Sequence, residues 1–248
     1  MSELYWITGA SSGIGRGLAL KAAARGCRVA ASARNEEALA ALAEEANGSI
    51  VPYTLDVTDV EACRAVVERI ESDHGLIAHA VLNAGTHMPT PATDFQAEQV
   101  GTLVQVNLMG VVNCLDPLLK RFVERGAGHL AIMASVAGYR GLPMAGGYCA
   151  TKAGLIALAE SLHAELQPRG IKTQVICPGF VRTPLTDRNE FEMPHLMELD
   201  DAVDRLWEGL NSDDFEVAFP RRLAWQLKMM QKLPNAAYFP MIRKATGL

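Results

Sequence analysis

Thr8-Gly9-Ala10-Ser11-Ser12-Gly13-Ile14-Gly15 joins a strand-like run at residues 3–7 to a helical pattern at residues 14–25. That order of strand, glycine loop and helix decides the reading of the fold. Missing side chains at Gly9, Gly13 and Gly15 permit a tight turn, close backbone approach to a pyrophosphate and close packing of helix on strand. The amino terminus of the helix adds oriented N–H groups, which favour an anion. The spacing departs from the commoner G-x-G-x-x-G, so the loop draws its force from its place in a strand-helix-strand unit.

Tyr148 and Lys152 stand four apart, and on a helix that spacing puts phenol and ammonium on one face. A cation nearby favours phenolate, so Lys152 is expected to lower the phenol from its reference pKa of about 10. Tyr148 could then serve as acid or base near neutral pH. Ser135 follows an apolar run at residues 129–134, which puts its hydroxyl at the carboxyl end of an expected buried strand. Open α/β sheets bind their ligands at that edge. A Tyr and a Lys four apart are otherwise an ordinary helix-surface pair, so the catalytic reading rests on both motifs occurring in one chain.

With these residues in view, the chain closely resembles the NAD(P)-dependent short-chain dehydrogenase/reductase family over nearly its whole length. The resemblance also takes in Asp56, Asn83-Ala84-Gly85, Asn107, and Pro178-Gly179 followed by Thr183, all in the family's order and approximate spacing. It implies a catalytic tetrad of Asn107, Ser135, Tyr148 and Lys152. It further implies cofactor contacts at Gly9, Ser11, Ser12, Gly13, Ile14, Gly15, Arg34, Asp56, Val57, Asn83, Ala84, Gly85, Tyr148, Lys152, Pro178, Gly179, Val181 and Thr183. Within that set Asp56 contacts adenine, the Asn83 segment lines the nicotinamide, and Thr183 bonds the carboxamide. Asn107 holds a water that connects Lys152 to solvent. The residues alone leave other roles open: Asp56 could bond its own turn, and Asn107 could satisfy helix backbone.

At the end of the second expected strand, where an acid would accept the ribose hydroxyls of NAD, the chain has Ser32-Ala33 followed by Arg34. An arginine there can pair with a 2′-phosphate, to which Ser11 and Ser12 could add hydroxyl contacts. NADP is therefore expected over NAD, with Glu36 and Glu37 close by as the features that argue the other way. The family pattern puts His87, Met88, Leu142, Pro143, Met144 and Phe180 around the active centre, with His87, Met144 and Phe180 as substrate contacts. Residues 183–199 are expected to form a movable lid carrying Phe191, Met193 and Met197. Most of these are apolar, which points to a hydrophobic ketone, aldehyde or secondary alcohol. The expected function is hydride transfer between nicotinamide and such a carbon, with Tyr148 moving the proton. Epimerase or lyase chemistry on the same dyad, and a non-catalytic NADP-sensing protein, are the other classes these motifs admit.

Composition agrees. Of 248 residues 49% are hydrophobic and 21% charged, which argues against disordered and membrane-spanning classes. Strand and helix patterns alternate without a linker, so a single NAD(P)-binding domain over residues 1–248 is expected. The strands fall at 3–8, 28–33, 50–54, 80–83, 129–134, 173–177 and 216–219. Helices fall at 14–25, 35–46, from a Thr58-Asp59-Val60-Glu61 capping box to near residue 72, at 95–124 with breaks at Gly110 and Pro117, at 148–167 and at 200–209. Together they predict a three-layer α/β fold, a doubly wound parallel sheet of the Rossmann type with helices on both faces. Cysteines at 27, 63, 114, 149 and 177 show no metal-ligand pairing, so reduced thiols and no metal site are expected. Glu3 interrupts the amino-terminal run, so no signal peptide and a cytoplasmic location are expected.

Residues 221–248 hold six Lys/Arg and no acid, which leaves residues 1–220 with 17 cations against 28 acids, a net charge of −11. Leu223, Leu227 and Met230 share a helical face, and Pro234 is expected to end that run. The segment is expected to dock onto the enzyme or a neighbouring subunit, with interfacial membrane contact as the alternative. Nucleic acid is not an expected partner, since the sequence pI is near 5.7. The resemblance implies a homodimer or homotetramer, with contacts through residues 95–124 and the Tyr148 helix.

Overall fold

The computed structural model describes residues 3–187 and 193–247. Strands β1 (Leu4–Thr8), β2 (Arg28–Ala33), β3 (Ile50–Thr54), β4 (His79–Leu82), β5 (Gly128–Met133), β6 (Ile171–Pro178) and β7 (Glu216–Phe219) form a parallel sheet in the order β3-β2-β1-β4-β5-β6-β7. Parallel neighbours need crossovers, and here helices supply them. They are α1 (Gly13–Ala24), α2 (Glu36–Glu45), α3 (Val60–His74), α4 (Ala97–Leu103), α5 (Gly110–Arg125), α6 (Gly146–Leu166) and α7 (Leu199–Leu210). After the last strand come α8 (Arg221–Gln231) and α9 (Asn235–Thr246).

Alternation along each strand divides the core into two layers. Leu4 and Trp6 of β1 pack with Cys63, Val67, Leu115 and Leu155 of α3, α5 and α6. Tyr5 and Ile7 face the other way, onto Leu18, Leu39 and Leu206 of α1, α2 and α7. The buried Trp6 indole donates to Ser32 Oγ at 3.0 Å, so even the polar atom of this core residue is satisfied. Strand order reverses between β1 and β4, and the crevice at their carboxyl ends is where such sheets bind ligands.

Three local expectations are corrected. Asp59, not Thr58, caps α3, its carboxylate accepting from the Ala62 N–H at 2.9 Å. Thr58 turns back instead, and its N–H and hydroxyl donate to Asp56 Oδ1 at 2.9 and 2.8 Å, a local turn that competes with capping. The break expected at Gly110 is a π-helical segment, Val104–Met109, running between α4 and α5. Pro117 lies inside α5 without ending it, because buried Leu115, Leu118 and Phe122 hold the helix on the sheet through the lost hydrogen bond. The run of α8 stops at Gln231, ahead of Pro234 as expected, and Pro234 then precedes a second tail helix, α9, where its missing N–H has no helical partner to lose.

The continuous helical run Ala97–Arg125 is long and apolar enough to cross a membrane by length and composition, and half of its apolar stretch is buried in the protein.

Candidate active site

The glycine loop is built as its sequence demands. Gly9 has φ +68°, and a Cβ there would stand 2.8 Å from Ala84 Cα. At Gly15 a Cβ would stand 2.4 Å from the Gly9 carbonyl oxygen. Thr8 and Asn83 lock the loop to the end of β4: Thr8 Oγ1 accepts from Asn83 N and Ala84 N at 3.0 and 3.1 Å, and Asn83 Nδ2 donates to Thr8 O and Gly9 O at 3.0 and 3.2 Å. Ser12 caps α1 without a side-chain bond to it, and the first turn carries no acid. An anion can approach those N–H groups directly.

One cleft of about 460 Å³, within the roughly 300–1,000 Å³ usual for small-molecule sites, runs from this loop to Ser135, Tyr148 and Lys152. Of the residues proposed from sequence for the cofactor, every one except Gly15 lines it. Gly15 sits behind, buried against Gly9. Lys152 is buried, donates to the Met133 carbonyl at 2.8 Å and lies 5.6 Å from the centroid of the Tyr148 ring. Burial lowers its pKa to about 8. Tyr148 is pushed up to about 12, chiefly by burial, with a hydrogen bond to Ser135 pulling the other way. The expected lowering of the phenol by Lys152 is therefore not present in this arrangement. Burial disfavours the charged form of both groups, and the ammonium is directed at Met133.

Ser135 closes β5, where its hydroxyl donates to Pro178 O at 3.2 Å and accepts from Ala137 N at 3.1 Å. Asn107, wholly buried in the π-helical segment, stands behind the cleft. Its Oδ1 accepts from Thr86 N at 2.7 Å, and its Nδ2 donates to Thr86 O at 2.9 Å and Thr151 Oγ1 at 3.3 Å. The amide thus satisfies the backbone of the loop at Thr86 and not, as the residues alone left open, that of its own helix. A Cβ on Gly85 would be 3.3 Å from Asn107 Oδ1 and 3.7 Å from Lys152 Nζ, so the segment after β4 passes between cleft and amide.

Arg34 is exposed at the far end of the cleft, next to Ala33 and near Asp56. Asp56 lines the cleft and also bonds its own turn; the Thr58 N–H holds its carboxyl below the usual range, with smaller help from the Thr58 hydroxyl and Arg34. Thr183 packs over the phosphate loop, 3.3 Å from where a Cβ on Gly13 would be, and its N–H is taken by Thr186 Oγ1 at 3.0 Å.

The three residues proposed as substrate contacts are placed differently from one another. His87 meets the Tyr148 ring edge to face, with centroids 4.9 Å apart, and burial lowers its pKa. Met144 projects from the loop before α6 with φ +60° and 57% exposure. Phe180 packs on the core beside the cleft, and its carbonyl accepts from Met197 N at 3.0 Å, closing the base of the expected lid. Phe191 lies outside the described residues.

Sequence reasoning missed Leu55, Thr86 and Val106 as cleft walls. They belong to no motif. Thr86 had one available signal, its position directly after Asn-Ala-Gly.

The residues fit a dinucleotide: a loop that excludes Cβ atoms, an open helix amino terminus, and a cleft that continues past Asp56 to Arg34. The short chain dehydrogenase family model matches residues 4–193. An uncharacterized oxidoreductase of Myxococcus xanthus is 39% identical over 241 residues, 96% of this chain and 95% of the relative. A solved short-chain dehydrogenase from Sphingobium yanoikuyae in complex with NADPH has 28% identity and TM-score 0.80, covering 94% of this chain and 97% of that one. A short chain dehydrogenase/reductase from Burkholderia phymatum in complex with NAD has TM-score 0.85 at 22% identity over 93% of each chain, a likeness of fold. Match and relative both extend over most of the sequence, and the chain belongs to the short-chain dehydrogenase/reductase family of NAD(P)-dependent oxidoreductases.

Proposed function

We propose that the protein transfers hydride between NADP(H) and the carbonyl or secondary-alcohol carbon of a small hydrophobic substrate, with Tyr148 as general acid/base. The observation that carries this reading is that Ser135, Tyr148 and Lys152 line the same cleft as the glycine loop. When bound, the nicotinamide supplies or accepts the hydride. Tyr148 gives its phenolic proton to the substrate oxygen in reduction and takes it back in oxidation. A phenol held well into its protonated range is suited to the first role. The Ser135 hydroxyl can rotate from Pro178 O to donate to the same oxygen. Lys152 brings a cation next to Tyr148 and the cofactor ribose. Asn107, through its paired bonds to Thr86, keeps the wall behind them in place.

Arg34 supports NADP over NAD, since Ala33 offers no carboxylate to ribose hydroxyls and the guanidinium can meet a 2′-phosphate. The Sphingobium structure, with NADPH, is in keeping with that choice. Val106, Val181 and Leu185 along the cleft support an apolar substrate. The exposed apolar residues Met109, at the end of the π-helical segment, and Val123 of α5 support assembly into a homo-oligomer through this helical run. The test is to follow nicotinamide absorbance with purified protein, NADPH or NADH, and a panel of hydrophobic ketones and aldehydes. Turnover with NADPH is expected; absence of turnover across the panel with either cofactor would count against the reading.

A further inference from the structure

Arg140 lies in the loop between Ser135 and Tyr148, yet its side chain reaches the carboxyl-terminal helices. Nη1 donates to the carbonyls of Met230, Gln231 and Leu233 at 2.7, 3.2 and 2.8 Å, and Nη2 donates to Asn235 Oδ1 at 2.7 Å. Met230 and Gln231 lie in the last turn of α8 and Leu233 just beyond it, where helical partners run out and the helix dipole favours a cation. The guanidinium also stacks on Tyr238, 3.7 Å from the ring centroid, and the Tyr238 hydroxyl donates to Gly141 O at 2.6 Å. The lock is therefore reciprocal: Arg140 holds the turn between α8 and α9, and α9 holds Gly141.

Two further contacts tie the same tail to the site. The Tyr139 hydroxyl donates to Glu216, which also pairs with Lys228 of α8. On the opposite side Leu223 of α8 packs so closely on Gly179 that a Cβ there would stand 2.7 Å from Leu223 Cδ2. Gly179 lines the cleft, and Pro178 before it accepts from Ser135. The family match stops at residue 193, so α8 and α9 lie beyond it.

We propose that Arg140 is a positioning residue that locks α8 and α9 onto residues 139–145, so that the carboxyl-terminal segment holds the substrate side of the cleft in shape. Lock and cleft meet in the loop that delivers Tyr148 at the start of α6. Loss of the guanidinium frees that loop without touching the phosphate loop or Arg34. Substrate binding suffers and cofactor binding does not. The kinetic consequence rests on the oxidoreductase reading given above; the structural one does not.

The test uses full-length Arg140→Ala, Arg140→Lys and Tyr238→Phe, with acetophenone as carbonyl probe, NADPH fluorescence for cofactor affinity, and amide hydrogen exchange. Arg140→Ala should raise KM for acetophenone by about fivefold or more while kcat and the NADPH Kd change less than about twofold. Arg140→Lys, which keeps charge but loses the fork, should recover part of that loss. Amides of residues 139–147 should exchange about tenfold faster in Arg140→Ala and detectably faster in Tyr238→Phe. Unchanged exchange there in both variants would overturn the proposal, as would KM and NADPH Kd rising together by the same factor. If Arg140→Ala does not fold, Tyr238→Phe carries the decision, since it removes one hydroxyl and keeps the stacked ring. If wild type does not reduce acetophenone, exchange alone decides, and the failure belongs to the function and not to the lock.

Discussion

Lys152 stands 5.6 Å from the centroid of the Tyr148 ring, with its ammonium bonded to the Met133 carbonyl 2.8 Å away. Burial lowers that ammonium to about 8, so between about pH 8 and the unfolded value near 10.4 the folded chain binds fewer protons than the unfolded one. Stability contributed by this group therefore rises with pH across that window and is lost as pH falls through it. Chemical denaturation of the free protein should show Lys152→Met losing the rise relative to wild type. Parallel stability curves for the two proteins would contradict the assignment.

Tyr148 carries the opposite tendency, its phenol pushed up to about 12 by burial. A protonated phenol suits reduction, whereas oxidation of an alcohol needs the base form. The oxidation rate should climb between about pH 6 and 9, while reduction should not require alkaline conditions. Profiles of kcat/KM in both directions would check this, and an oxidation rate flat across that range would speak against it.

Gly15→Ala puts a methyl 2.4 Å from the Gly9 carbonyl oxygen and 2.5 Å from Asn83 Nδ2, the first a backbone atom and the second an amide tied to Thr8 O and Gly9 O. The loop must shift, costing about 1–3 kcal/mol of stability and weakening the grip on pyrophosphate. Urea midpoints and NADPH titration read the two effects. An unchanged midpoint together with an unchanged Kd would show that the loop is not packed as described.

Ala33→Asp combined with Arg34→Leu should turn preference from NADP towards NAD by supplying a ribose acceptor and removing the phosphate partner. Binding should change more than kcat. A wild-type protein that already binds NAD more tightly than NADP would remove the role given to Arg34.

Where the sequence pattern was local, structure and expectation agree. Strand β2 occupies the same residues in both, as do β3 and β7, and the glycine loop adopts the turn that Gly9 and Gly15 require. Errors arose where several groups, near or far in sequence, compete for one partner. Thr58 fits a capping box by spacing, yet Asp56 claims its hydroxyl and Asp59 takes the cap. Asn107 reads as an unusual amide in an apolar helix, but the π-helical turn and its pairing with Thr86, 21 residues away, depend on the assembled fold. The pKa of Tyr148 could not be read from an i, i+4 spacing, because burial outweighs a cation directed elsewhere. Arg140 gave no sign at all, since its hydrogen-bond partners lie 90 to 95 residues downstream, around the turn at Pro234 that joins α8 to α9.

The central claim is that Tyr148 moves the proton, and Tyr148→Phe tests it most directly because the substitution removes the hydroxyl and preserves the ring. With NADPH and a ketone that wild type reduces, the variant should bind NADPH within about twofold of wild type and lose turnover. Retention of more than about a tenth of wild-type kcat would contradict general acid/base catalysis by this residue.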